Sequence, residues 1–345
     1  MRDKLQRAKR AYNAEGLGGL ATGIFNHFRR PIEKQTVSRT RFEIPYYVRK
    51  HNKRAKRFTR LLAERGIGPR IAEAGLSDYK SSDTLFILGS GSSITQITDA
   101  QWQHIDERDS VGLNRWPIHE FTPTYHVFET RMEPEYEEFT RTYWNLLNSR
   151  QAAYENIPII LKDVSTVYRR LEPDDLPGWL AGNLIVSCDS SYNNIVTPAS
   201  SVERNEALLQ HLYDRGHFNS GEFNILYRKR GSISYLIHFA LCLGYENIVL
   251  CGVDMVDSTY FFDEREAHYQ EQGIPIPRPP SATHDNHNNE ETHKTNDPDA
   301  GQLTLEKVIY SLREIVLKNE GVTIYVENEK SALHPRLPLY PYEEV

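Results

Sequence analysis

From residue 81 onward the chain alternates short, nearly unbroken apolar runs with longer amphipathic segments. TLFIL (84–88), SVGL (110–113), YHVF (125–128), PIIL (158–161), LIVSC (184–188), NIVLC (247–251) and TIYV (323–326) each read as a strand. ISYLIHFALCL (233–243) and LTLEKVIYSLREIVLK (303–318) carry helical periodicity. Continuous apolar strands separated by helices predict an α/β fold: a Rossmann-like, mostly parallel sheet with helices on both faces. A polar stretch at 264–302, stiffened by PIPRPP at 275–280, interrupts the alternation and reads as a lid insertion. Residues 1–80 read instead as a basic helical extension, so the predicted division is 1–80 and 81–345.

Composition changes this picture at one end only. The 345 residues are 39% hydrophobic, with no apolar run of spanning length. The opening MRDKLQRAKRAYNAEG is too polar for a secretory segment. Three cysteines, Cys188, Cys242 and Cys251, lie in or beside apolar segments, as buried thiols of a reducing compartment do. A cytoplasmic protein is predicted. Charge is strongly uneven: residues 1–60 hold 17 Lys and Arg against 4 Asp and Glu, whereas the chain as a whole is −6. Leu17, Leu20, Ala21, Ile24, Phe25 and Phe28 share one helical side, with Arg29 and Arg30 behind them. Two readings stay open for this segment. It is a peripheral anchor on an anionic inner membrane face, or an arm packed on its own domain or on a second copy in a homo-oligomer. Nucleic acid fits less well, since the basic stretch has few aromatics placed for base stacking.

Candidate chemistry gathers at strand exits, where open α/β sheets bind ligands. After the first strand, Gly89, Ser90, Gly91 and Ser92 offer a tight turn with hydroxyls and backbone N–H groups, an anion cradle or a plain strand–helix junction. The turn lacks the third glycine of GxGxxG and the Gly-Lys-Ser/Thr of a P-loop. Asn114 ends the second strand either as a turn-forming asparagine, the reading favoured for this residue alone, or with an amide suited to a base or ribose edge. The densest region is 228–263: Arg228, Lys229 and Arg230 precede Gly231 and Ser232, the latter a natural N-cap of a buried helix. The following strand exits through Gly252 and Asp254.

Together these segments resemble the bacterial sialyltransferases of glycosyltransferase family 42, the Campylobacter lipooligosaccharide type. The family's Gly-Asn-Gly-Pro-Ser-Leu turn is here Gly89-Ser90-Gly91-Ser92-Ser93-Ile94. Its Arg-Cys-Asn strand end is Gly112-Leu113-Asn114, and its Ser-Gly-Ile-Asp exit is Cys251-Gly252-Val253-Asp254. Its Ser-Ser-Tyr-Ala-Phe-Asp run aligns with Ser258-Thr259-Tyr260-Phe261-Phe262-Asp263. His293-Lys294-Thr295-Asn296-Asp297 approximates its lid motif. The resemblance implies transfer of sialic acid or a related ulosonic acid from a CMP-activated donor to a glycan or lipid-linked glycan acceptor. It implies no obligatory metal or other cofactor. By position it assigns a general base to His293 and a phosphate contact to Tyr260. Nucleotide contacts fall to Gly89, Ser90, Gly91, Ser92, Asn114, Ser232, Gly252 and Asp254, and substrate contacts to Arg228 and Arg230. A family arginine falls on Lys229, and the second phosphate-binding tyrosine falls on Val256. These departures leave the donor sugar open and admit an inactive relative.

Two other classes compete. A related Gly-x-Gly-Pro-Ser-Leu turn occurs in archaeal-type pterin diphosphokinases, where it would cradle ATP with Mg²⁺. A non-catalytic nucleotide- or glycan-binding module is the third. The segment THDNHNNEETHKTND (283–297) also invites a metal reading through His284, His287, Asp285, Glu290 and Glu291, but has no HExxH pattern and no secondary-structure signal. Asp297-Pro298-Asp299 mimics a metal-binding DxD without following a strand. A catalytic lid that excludes water from a nucleotide sugar is the preferred reading.

Overall fold

The computed structural model describes residues 40–162, 167–187, 189–191, 201–223, 225–256, 259–280, 293, 295–297 and 302–342. The chain divides by its contacts into two units, Met1–Tyr46 and Tyr47–Val345. The second holds the sheet. Residues 47–80, expected with the extension, therefore belong to the compact unit.

Seven strands form the main sheet: β1 (Thr84–Leu88), β2 (Asp109–Leu113), β3 (Tyr125–Phe128), β4 (Ile159–Leu161), β5 (Leu184–Val186), β8 (Asn247–Cys251) and β9 (Thr323–Val326). β6 (Asp189–Ser191) and β7 (Leu226–Arg228) make a separate parallel pair. The order is β5-β4-β3-β2-β1-β8-β9, and every neighbouring pair is parallel. All seven strand expectations match, apart from one or two residues at some ends. β5 stops at Val186 rather than 188, although Ser187 still donates to Leu161 O at 2.9 Å.

The described helices include α1 (Thr40–Glu64), α2 (Asp99–Asp106), α3 (Glu137–Ser149), α4 (Val202–Tyr213), α5 (Ser232–Cys242) and α6 (Leu305–Leu312). The expected helix at 303–318 is α6, capped by Thr304 and continued by a π-helical turn over Arg313–Leu317. Alternate strand residues feed two cores. Phe86, Leu88, Phe128, Ile159, Leu161, Val249 and Cys251 join one cluster with Phe58 and Leu62 of α1 and Tyr143, Leu146 and Leu147 of α3. Tyr125 points the other way and meets Phe239 of α5 edge-on at 5.4 Å. Burial on both faces explains the unbroken apolar runs that made the strands legible.

α1 is held to this body by its apolar side: Phe58 stacks on Tyr168 at 3.7 Å. Both sheet edges meet irregular chain. Val186 donates to Pro69 O at 2.9 Å, and at the far side Val326 donates to Pro338 O and accepts from Tyr340 N, both at 3.0 Å. No helix among the described residues is long and apolar enough to cross a membrane.

Candidate functional site

Strand order reverses direction at β1, which makes the loops leaving β1 and β8 neighbours at the carboxyl end of the sheet. They stay paired beyond the strands: Gly89 donates to Cys251 O at 2.8 Å and Gly91 to Gly252 O at 2.9 Å. A Cβ on Gly89 would lie 2.5 Å from Gly252 O, and one on Gly91 would lie 2.4 Å from Asp254 Oδ2. Glycine is needed here because two backbones approach each other. The N–H groups of Gly89 and Gly91, expected to face a ligand, are already used by carbonyls. Asp254, 5% exposed, accepts from Ser93 N at 2.9 Å and from Ser93 Oγ, tying the β8 exit to the β1 turn. The half-buried Ser90 and Ser92 hydroxyls have no hydrogen-bond partner among the described residues, so they remain the turn's available polar groups.

Tyr260 sits directly against this turn. It forms a β-bridge with Gly91, and Phe261 N donates to Ser90 O at 3.1 Å. Asp263 Oδ2 accepts from Tyr260 N at 2.8 Å. The Tyr260 and Phe262 rings stack at 5.2 Å, nearly parallel. Over them lies Arg115, 4.3 Å from the Tyr260 centroid and 4.8 Å from that of Phe262. Arg278 approaches Phe262 at 5.4 Å and pairs with Asp263 and Glu266 at 2.6 and 2.8 Å. This ladder joins the β2 exit to the start of the polar insertion. Sequence reasoning passed over Arg115, although it follows Asn114 directly.

Asn114 adopts a left-handed φ of 53°, a conformation asparagine tolerates better than most residues. Its Oδ1 accepts from Glu129 N at 3.3 Å, and its carbonyl accepts from Tyr143 Oη at 2.9 Å. Glu129, just past β3, is the hub of a charge network. Lys162, fully buried past β4, reaches its carboxylate at 2.5 Å, and Arg228 lies 3.8 Å away. Lys162 holds the Glu129 carboxyl down at about 2 against the push of burial, with Arg228 adding to the pull. The network carries the site from β2 across to the end of β7.

At that end begins α5. The sequence reading made Ser232 its N-cap; the cap is Gly231, and Ser232 is the first helical residue. No side chain caps the helix; Ser234 instead ties its start to the preceding strand end, its Oγ accepting from Lys229 N at 2.9 Å and lying 2.9 Å from the Gly231 and Lys229 carbonyls. The reason is local: Gly231 folds back to donate to Lys229 O at 2.8 Å, so the helix starts one residue early. Ser232 is thereby left half-buried, its hydroxyl without a hydrogen bond among the described residues. Lys229 is 2% exposed, and its Nζ has no hydrogen-bond partner among the described residues; burial pushes its ammonium down to about 8. Arg230 holds a left-handed φ of 66°, and its Nε donates to Thr295 O at 2.9 Å.

That bond brings in the histidine. His293 Nδ1 lies 2.7 Å from Thr295 Oγ1, Asn296 N donates to His293 O at 2.7 Å, and Leu305 N to Thr295 O at 2.9 Å. The 293–297 segment is thus pinned between the starts of α5 and α6. Thr295 N also donates to His293 Nδ1 at 3.3 Å, which makes Nδ1 the ring nitrogen that carries the lone pair in the neutral imidazole. His284, His287 and Lys294 lie outside the described residues, as does Ser258; Val256 is exposed at 40%.

Comparisons with known proteins add little beyond this geometry. No family model matches the chain, and no curated protein does. Two solved structures do. The sialyltransferase CstII from Campylobacter jejuni, in complex with a substrate analogue, cytidine-5'-monophosphate, is 14% identical, covering 75% of this chain and 85% of its own, with a TM-score of 0.37. An alpha-2,3-sialyltransferase from Campylobacter jejuni in apo form is 16% identical over 76% of this chain and 83% of its own, with a TM-score of 0.37.

Proposed function

We propose that the protein is an inverting glycosyltransferase that takes a CMP-activated sialic or related ulosonic acid as donor. One observation carries this reading: residues scattered from 89 to 297, picked out by motif, are joined by contacts at one end of the sheet. Tyr260 bridges Gly91, Asn114 meets Glu129, Glu129 meets Arg228, and Arg230 meets Thr295 beside His293.

In this mechanism the His293 imidazole takes the proton from the acceptor hydroxyl as that oxygen bonds to the anomeric carbon. The bond from the anomeric carbon to the CMP phosphate oxygen breaks, and CMP leaves with the electron pair. Thr295, through its N–H and Oγ1 at His293 Nδ1, fixes the orientation of the ring. Tyr260, the Ser232 hydroxyl and the first-turn N–H groups of α5 steady the departing phosphate, while the buried Lys229 ammonium and Arg228 supply positive charge. Asn114 and the Ser90 and Ser92 hydroxyls take the nucleoside side. The acceptor is a glycan or a lipid-linked glycan.

The test is CMP release from CMP-Neu5Ac and CMP-Kdo with a panel of glycan acceptors, alongside ATP with Mg²⁺. Release from one CMP-sugar, unaffected by EDTA, is the expected result. His293→Ala should lower turnover by about 10²–10⁴-fold with donor binding retained. Turnover of ATP alone, dependent on Mg²⁺, would replace this reading with the diphosphokinase one.

A further inference from the structure

Helix α1 carries two opposed faces. Within the sheet-bearing unit, Val48, Ala55, Phe58, Thr59 and Leu62 are buried. Between residues 49 and 60, Arg49, Lys50, Lys53, Lys56, Arg57 and Arg60 are exposed, as is Arg54, which lies over the Phe58 ring at 5.2 Å. At about 100° per residue, these seven fall within an arc of about 160°, centred opposite the buried arc. They cover about 16 Å of helix length. No acidic residue interrupts them; the first, Glu64, pairs with Arg60 at 3.0 Å. No carboxylate among the described residues forms an ion pair with Arg49, Lys50, Lys53, Lys56 or Arg57.

Such a face opposes itself. Residues 49 and 53, 50 and 54, 53 and 57, and 56 and 60 are like-charged neighbours one turn apart, and each pair destabilises an isolated helix. The field is felt by His51, whose pKa is lowered by burial first and then by Arg54 and Lys50. A helix anchored by its apolar side, with five of these seven cations in no ion pair among the described residues, is matched by an external anionic surface.

We propose that this ridge docks the protein on an anionic lipid bilayer. The shape selects among polyanions. The basic residues lie on the convex side of a straight rod, which touches a plane along its length. Between residues 49 and 60 no exposed aromatic side chain is interleaved for successive bases to stack on; the exposed Tyr46, one turn before Arg49, is a single ring. Outside residues 1–60 the chain has 24 basic against 43 acidic residues, so a polyanion that wrapped around the molecule would meet repulsion, whereas a plane meets one face. Adhesion is electrostatic, worth about fivefold in affinity per basic residue and weakening as salt shortens the screening length.

The experiment is flotation of the full chain with vesicles of phosphatidylcholine alone or mixed with phosphatidylglycerol, at low and high salt. The parent should float with the mixed vesicles only, and less at high salt. The combined variant Arg49→Gln, Lys53→Gln, Lys56→Gln, Arg57→Gln should lose binding by about 10²-fold or more, with a thermal transition no lower than the parent's. A charge-matched control, Lys307→Gln, Lys318→Gln, Lys330→Gln, Arg336→Gln, should bind as the parent does. The proposal is overturned if the parent fails to float, floats equally with neutral vesicles, or binds RNA or DNA oligonucleotides but not vesicles. It is equally overturned if the ridge variant floats like the parent or the control loses as much.

Discussion

The two sides of the candidate site are built on opposite plans. Where β1 and β8 leave the sheet, the groups that join the two loops are committed: Gly89 and Gly91 bond to the partner loop, and the Asp254 carboxylate is taken by Ser93. At the start of α5 the accounts are left open. Lys229 is buried with no partner for its ammonium among the described residues, Arg230 is held in a left-handed backbone, and Ser232 leaves the cap position to Gly231. The first side is a floor, whose task is to hold shape. The second is a wall with unspent positive charge, arranged at a cost in stability that an anionic ligand would relieve.

The sharpest way to break the floor is Gly91→Ala. Its methyl would stand 2.4 Å from Asp254 Oδ2 and 2.8 Å from Gly252 O, so the paired loops must separate. A loss of about 3 kcal/mol in chemical denaturation is expected; an unchanged midpoint would mean the loops part freely. Acid attacks the wall next. His238 in α5 accepts from Tyr227 N and bonds His217 O, both at 2.6 Å, and burial depresses its pKa to about 3. An unfolded histidine titrates near 6.5, so the unfolded chain binds the proton first. The stability due to neutral His238 is complete above pH 6.5 and drains away as pH falls toward 3, by about 3 kcal/mol at pH 4. Melting temperature against pH should fall over that window, and His238→Gln should flatten the fall.

Lys229→Met removes the unpartnered charge while keeping much of the stem. It should stabilise the ligand-free protein by about 2 kcal/mol at neutral pH and weaken donor binding at least tenfold, separable by thermal melts with and without CMP-sugar. Above pH 8 the parent's lysine becomes neutral in the fold before it does so in the unfolded chain, so the stability gap to the variant should close. Smallest is Arg115→Met, which costs about 1 kcal/mol of cation–π energy. Faster amide exchange at Phe261, Phe262 and Arg278 would register it; unaltered exchange would mean the aromatic ladder stands without the arginine.

How much of this was legible in the sequence follows from the range of each interaction. The strands were readable because a parallel strand buried on both faces must be apolar throughout, a property of five consecutive residues. The glycine turn was also readable, but its purpose was not: what forbids a side chain at Gly91 is Asp254, 163 positions away. The Ser232 cap failed by one residue because Gly231 folds back on Lys229, a choice no serine signals. The network of Glu129, Lys162 and Arg228 left no mark at all. Each member is one ordinary charge after an apolar run, and only the order of β3, β4 and β7 in space brings them together.

The two borders of the sheet limit how this protein can join itself. At one, Val186 N is taken by Pro69 O, and a Cβ on Gly68 would fall 1.4 Å from Leu184 O, so the chain already runs hard along that side. At the other, Val326 is bonded through both its N–H and its carbonyl to the chain around Leu339. A second copy arriving strand-first would find the backbone groups at these points occupied. At these two points the main sheet is closed to continuation into a second copy, which favours contacts between side-chain surfaces, such as helix faces.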